Sequence, residues 1–215
     1  MQKLKGLLKA AHFGPTLIVT AISFGFGTYY WWEGPAYVIA FGVFTGQLVV
    51  GWSNDLYDFD DDLKHQRSKK PLVSGLITKQ YLQKWLRFML PFSFVANLLG
   101  PLGIKGGLVY MLGIACGVAY NFYFKFSILS PLPYAIAFAA LPSSVAISKD
   151  INPPLWMLLG GALFGMAAHF INVIKDMDQD QASGIKGLPQ RLGKVQSIAA
   201  AAVLIALGIL ALLIL

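Results

Sequence analysis

"YVIAFGVFTGQLVVGWSNDLYDFDDD", residues 37–62, is almost unbroken apolar chain as far as Ser53 and then carries five aspartates in eight positions: Asp55, Asp58, Asp60, Asp61 and Asp62. Lys64, His65, Arg67, Lys69 and Lys70 follow at once. An apolar run of about 20 residues matches the thickness of a bilayer's hydrocarbon core, so the acidic cluster falls where such a span would leave the membrane.

The rest of the chain repeats the first half of that pattern. Its 215 residues are 56% hydrophobic and only 13% charged, against about 25% charged in soluble domains. About seven apolar runs of spanning length can be read, near residues 13–32, 35–53, 86–104, 106–126, 131–149, 154–174 and 195–215. They lack the strict apolar/polar alternation of membrane strands. They are rich in Gly, which allows close helix packing in lipid, and in aromatics suited to the interface. The expected fold is therefore all-α, a polytopic membrane helix bundle. "MQKLKGLLKAAHFGP" has a basic head before an apolar run like a signal peptide, but no small-residue cleavage site follows, and it reads as a retained first helix. Cys116 is the single cysteine, so no intrachain disulfide forms.

The net charge of +7 invites a nucleic-acid reading, which its distribution rejects. With alternate loops assigned to opposite sides, every Lys and Arg except Lys105 and Lys149 falls on one side. The positive-inside rule then places the N-terminus and the acidic loops in the cytoplasm.

Eight of the ten acidic residues occupy two places, the cluster above and Asp176, Asp178 and Asp180; Glu33 and Asp150 stand alone. If the second span continues as helix, Asp55, Asp58 and Asp62 lie within roughly 60° of one another, with Asp60 on the opposite side. Asp176 and Asp180 share a face in the same way, and one and two turns back the stripe meets Asn172 and His169, the latter read as a packed polar residue. Asn54, Asp58 and Asp62 spell N-x-x-x-D-x-x-x-D, as do Asn172, Asp176 and Asp180, and a basic segment with Gly and Pro follows each. This is one device used twice, on helices expected to face each other. Like charges one turn apart repel unless neutralised. Magnesium suits them, since it takes hard oxygen ligands and commonly combines one or two carboxylates with substrate phosphates. Lys64, Arg67, Lys69, Lys70, Lys186 and Arg191 are the bases placed to grip the remaining phosphate oxygens.

These residues resemble a family. "NDLYDFDDD" fits the N-D-x-x-D-x-x-x-D motif of the UbiA-type intramembrane prenyltransferases, and "DMDQD" fits their D-x-x-x-D motif. "NDLYDFDDDLKHQRSKKPLVSGLIT", "NVIKDMDQDQASGIKGLPQRLG" and "AYNFYFKFSILSPLPYAIAFAALP" are similar to the family's two loops and its fourth-to-fifth helix junction. The resemblance implies a bundle enclosing a lipid-open cavity, in which magnesium-dependent transfer moves a prenyl group from a prenyl diphosphate to a lipophilic, aromatic or polar-headed acceptor. It further implies that Asn54, Asp55, Asp58 and Asp62 bind one magnesium–diphosphate face and Asp176 with Asp180 the other, with Asp58, Asp62, Asp176 and Asp180 catalytic. Lys64, Arg67, Lys70 and Lys125 are then the bases at the diphosphate, Tyr120 a hydrogen-bond donor, and Asn172 and Lys186 further substrate contacts. Tyr120 and Lys125 are five apart here, whereas much of the family has them four apart. Phe122, Tyr123, Tyr134 and Phe138 are aromatic candidates for keeping an allyl cation dry.

The family typically has nine spans, and this chain ends within its seventh run at "GILALLIL". The expectation is a single transmembrane prenyltransferase-like domain over residues 1–215, either without the last two helices or a shorter variant. Two other readings use the same aspartates: a terpene cyclase of the same fold, and a non-catalytic lipid-phosphate binder or transporter. Transporters usually carry working charges near mid-membrane, whereas here the acidic clusters sit at the rim.

Overall fold

The computed structural model describes residues 1–215. It is all helical: α1 (Gln2–Ala10), α2 (Phe13–Tyr30), α3 (Glu33–Lys64), α4 (Lys79–Leu99), α5 (Gly103–Phe122), a short 3-10 turn (Phe124–Phe126), α6 (Leu132–Ile147), α7 (Leu155–Ala182), α8 (Leu188–Leu192) and α9 (Lys194–Ile214). Each of the apolar runs lies on a helix: α2 to α7 in order, then α9. Four of these, α3, α5, α7 and α9, are long and apolar enough to cross a membrane on their own. The pair α1 and α2, bent by 70°, makes a fifth if taken as one span. The helix α6 is apolar but shorter than the others.

The chain forms two compact units, Met1–Gly107 and Leu108–Leu215. In the first, α3 is the central element and packs against α1, α2 and α4. Its core beside the acidic end is Leu7, Ala10, Ala11, Leu48, Trp52, Leu72, Ile77 and Leu82. Gly51 explains how the chain between α1 and α2 comes so close to α3. A methyl group at that position would sit 2.8 Å from the backbone of Ala11, well inside van der Waals contact.

In the second unit α7 is central, packed against α6, α8 and α9. Gly161 and Gly165, one turn apart on α7, let its backbone run against α6. A Cβ at Gly161 would meet the Phe138 carbonyl at 2.8 Å, and one at Gly165 the Phe138 side chain at 2.7 Å. Without a hydrophobic difference between lipid and side chain, such close backbone approach is what holds membrane helices together.

Both central helices are longer than a bilayer needs. At 1.5 Å per residue, the 32 residues of α3 and 28 of α7 extend about 48 and 42 Å, against a hydrocarbon thickness of about 30 Å. Their polar C-terminal turns therefore project past the apolar layer, and those turns carry the aspartates.

Candidate active site

The continuation of α3 through Lys64 puts Asp55, Asp58 and Asp62 on one stripe, as the spacing requires. Asp55 and Asp62 are almost wholly buried, at 2% and 1% exposure. Asp60 points away into the open, and Lys79 lies 3.7 Å from its carboxylate.

The end of α3 explains where the bases come from. Gln66 adopts a left-handed conformation, φ 52°. Its N–H donates to the Leu63 carbonyl at 3.1 Å, and the Arg67 N–H donates to the Asp62 carbonyl at 2.9 Å. This is a Schellman termination, which satisfies the last carbonyls and reverses the chain. Reversal brings Arg67 back over the helix end, where its guanidinium donates to Asp62 Oδ1 at 2.8 Å and lies 3.7 Å from Asp61. Three residues on, Lys70 donates to Asp55 Oδ1 at 2.7 Å and stands 3.8 Å from Asp62. Burial works against the charge on Lys70, but the carboxylates of Asp55, Asp62 and Asp58 outweigh it, so the ammonium is held above the usual lysine value. Lys64 is exposed on the last turn and makes none of these ion pairs.

Asn54 extends the stripe. Its Nδ2 donates to Asp58 Oδ2 at 3.0 Å, and its Oδ1 faces His12 Nε2 at 3.1 Å. An amide oxygen only accepts, so His12 carries its proton on Nε2. The same nitrogen is 3.5 Å from Asp55 Oδ1. His12 is a site residue absent from the sequence reading, because it lies in the α1–α2 corner and reaches Asn54 only through the tertiary fold.

The second cluster is built by the same rules. Gly184 is left-handed, φ 73°. Its N–H donates to Gln181 at 3.0 Å, and the Ile185 N–H donates to the Asp180 carbonyl at 2.9 Å. The parallel runs at one constant sequence offset: Asn54 with Asn172, Asp58 with Asp176, Asp62 with Asp180, Gln66 with Gly184, Pro71 with Pro189, and Gly75 with Gly193. Both glycines of the last pair have positive φ. The side-chain partners differ, however. Where Lys70 serves the first cluster, the second has Gln190, whose amide donates to Asp180 Oδ2 at 2.8 Å. Asp176 is exposed, as are Asn172 and Lys186. Lys186 contributes its carbonyl, which accepts from Arg191 Nε at 2.8 Å.

Around this second cluster the polar and aromatic candidates converge. Tyr120, Tyr134 and His169 form a mutual ring cluster, with centroids 5.1, 5.4 and 4.9 Å apart. His169 is buried, with Nε2 3.0 Å from Ser130 Oγ, and Ser130 Oγ also accepts from the Leu188 N–H at 3.0 Å. His169 is thus a packed polar residue that ties α7 to the turn before α6 and to the start of α8. Lys125 is buried in the 3-10 turn, its ammonium 5.3 Å from the Phe126 ring. The helix α5 stops at Phe122, before Lys125, so the spacing of five from Tyr120 to Lys125 crosses a helix end and does not follow one helical face. Phe122 and Tyr123 are exposed, whereas Phe138 stacks on Tyr134.

No three His, Cys, Asp or Glu side chains converge into a protein-only metal cage. Two features nonetheless fit a magnesium ion that draws its other ligands from phosphate and water. The donors are all hard carboxylate oxygens, and Asp55 Oδ2 is buried with no hydrogen-bond partner. Lys70 and Arg67 bring two positive charges to the three carboxylates of Asp55, Asp58 and Asp62, and His12 stands 3.5 Å from Asp55.

Known structures share this architecture. A UbiA homologue from Archaeoglobus fulgidus bound to GPP and Mg2+ superposes with a TM-score of 0.78 at 18% identity, over 96% of this chain and 76% of the other. The same homologue bound to DMAPP and Mg2+ gives the same values. A digeranylgeranylglyceryl phosphate synthase gives a TM-score of 0.71 at 20% identity, over 98% of this chain and 76% of the other. At these identities the likeness establishes the fold. No curated protein matches the sequence. The model of the UbiA prenyltransferase family, by contrast, matches residues 12–215, nearly the whole chain and both aspartate-bearing helices. The chain belongs to the UbiA prenyltransferase family, and is an integral, multi-pass membrane protein.

Proposed function

We propose that this chain transfers a prenyl group from a prenyl diphosphate to a lipophilic or polar-headed acceptor within the membrane, in a magnesium-dependent reaction. The observation that carries the reading is the carboxylate stripe on the last turns of α3, ion-paired with Lys70 and Arg67 and holding a buried oxygen on Asp55 that has no hydrogen-bond partner. Bound prenyl diphosphates and Mg2+ in the Archaeoglobus fulgidus homologue support it.

In this reading Asp55, Asp58 and Asp62 on α3, and Asp176 and Asp180 on α7, are the magnesium ligands. Asn54 orients Asp58 through its amide and is itself oriented by His12. Magnesium, when bound, neutralises the charge that grows on the departing diphosphate. Arg67 and Lys70, already beside the carboxylates, donate to phosphate oxygens and hold the leaving group as the allylic C–O bond breaks. Lys64, Lys125, Lys186, Tyr120 and Asn172 are the further polar groups assigned to the substrate. Tyr134, Phe138 and the Tyr120 ring supply apolar surface that excludes water from the carbocation, and their faces favour positive charge.

The test is diphosphate release from detergent-purified protein offered prenyl diphosphates and a membrane-lipid extract. Release should require magnesium and should fall by about a hundredfold or more in Asp176→Asn. Release unchanged by both chelation and Asp176→Asn would overturn the reading. A labelled product cyclised without any acceptor would reassign the chain as a terpene cyclase. Tight diphosphate binding with no release would make it a binder.

A further inference from the structure

The helix α1 takes no part in the site, yet it is built for a partner on each side. Gly6, Leu7 and Ala10 are buried: the Trp52 indole N–H donates to the Leu7 carbonyl at 2.9 Å, and Gly6 meets Ile77. Met1, Leu4 and Leu8 lie on the other side, with Met1 and Leu4 strongly exposed. Together with Phe13, Lys5 and Lys9 they line a shallow apolar groove.

The orientation of α1 says what covers this groove. The apolar helix α2 has 18 residues, about 27 Å of helix, close to the hydrocarbon thickness. The bend between α1 and α2 is 70°. Even with the tilt of about 20° usual for crossing helices, α1 lies nearer the membrane plane than its normal. It packs on Trp52, and the residue after it, Ala11, packs on Gly51; both α3 positions lie within a turn before Asn54, where the apolar part of α3 gives way to the aspartates. That level is the boundary between hydrocarbon and headgroups. No acidic residue lies in α1, and Lys5 and Lys9 flank its apolar face. Lys3 is engaged elsewhere, its ammonium 5.1 Å from the Tyr81 ring.

We propose that α1 is an interfacial helix that docks an anionic membrane lipid, with the acyl chain against Met1, Leu4, Leu8 and Phe13 and the phosphate between Lys5 and Lys9. Apolar contact alone would accept any lipid. The paired lysines select one with net negative charge, because each basic residue at such a surface favours anionic lipid about fivefold.

The experiment uses the full chain in nanodiscs of phosphatidylcholine alone or mixed with phosphatidylglycerol. Spin-labelled phosphatidylglycerol and phosphatidylcholine report which lipid the protein immobilises. The wild type should prefer phosphatidylglycerol, and Lys5→Gln/Lys9→Gln should lower that preference by about fivefold or more. Lys105→Gln/Lys149→Gln, which removes the same charge elsewhere, should leave it unchanged. A second readout places a polarity-sensitive fluorophore on Leu4→Cys in a Cys116→Ala background. Its emission should be blue-shifted, quenched by a spin label near the lipid headgroup and protected from aqueous iodide. A fluorophore open to iodide in both bilayers would overturn the interfacial placement. Equal lipid preference in wild type and Lys5→Gln/Lys9→Gln would overturn the lysine site.

Discussion

Lys70 shows how much one side chain does in the first cluster. It is the hydrogen-bonded cation of Asp55 and lies near Asp62, both nearly devoid of solvent. Removing one partner of a buried pair leaves a charge without compensation, which costs about 3–5 kcal/mol in a dry interior. Lys70 is a quarter exposed, so Lys70→Met should cost about 2 kcal/mol, read as a lowered unfolding midpoint in detergent. Magnesium should restore part of that loss, because a divalent ion can take over the neutralisation; a midpoint equally insensitive to magnesium in both proteins would contradict the metal assignment. The pH dependence follows from the raised lysine value. Stabilisation from a raised pKa is complete below the unfolded value, here 10.5, and disappears as pH rises through the folded one. The difference between wild type and Lys70→Met should therefore stay flat from neutrality to mildly alkaline pH and shrink only above the ordinary lysine range.

Helix termination is the device that the two halves share. The last aspartate of each motif contributes its carbonyl to a Schellman turn, and the residue four further on is left-handed. In α7 that residue is Gly184, for which positive φ carries no steric cost. In α3 it is Gln66, for which it does. Gln66→Gly should stabilise the protein by about 0.5 kcal/mol, the relieved strain being offset partly by a looser unfolded chain. Gly184→Ala should destabilise it by about 1 kcal/mol. Opposite signs in paired thermal melts are the expected outcome. The N-x-x-x-D-x-x-x-D spacing was legible from the sequence because helical periodicity alone puts those residues on one face. The left-handed Gln66 was not, since glycine is the residue that usually announces such a turn.

At the level of the whole molecule, each unit is organised round one long helix that outruns the bilayer and delivers acidic residues past its edge. Packing of α7 on α6 rests on Gly161 and Gly165. Gly165→Leu should cost about 1–3 kcal/mol or more through overpacking and should reduce the yield of folded protein in detergent. The charge asymmetry belongs to this scale too. A reporter fused within residues 54–84 should be active on the cytoplasmic side, and activity only outside the cell would reverse the orientation.

The sequence by itself determined that the chain is an all-helical membrane protein and which turns carry its carboxylates, because apolar length and helical spacing are local properties. It also carried the family's motifs at both ends of that logic, Asn54 to Asp62 and Asn172 to Asp180. Tertiary structure decided the partners. His12 meets Asn54 across 42 positions, Lys70 meets Asp55 across 15, and Ser130 meets Leu188 across 58. No periodicity links such residues. Their contacts depend on how the α1–α2 corner, two helix-ending turns and a 3-10 turn fold back over the central helices. The pattern of aspartates is written in the helix, and what neutralises and orients them is written in the packing.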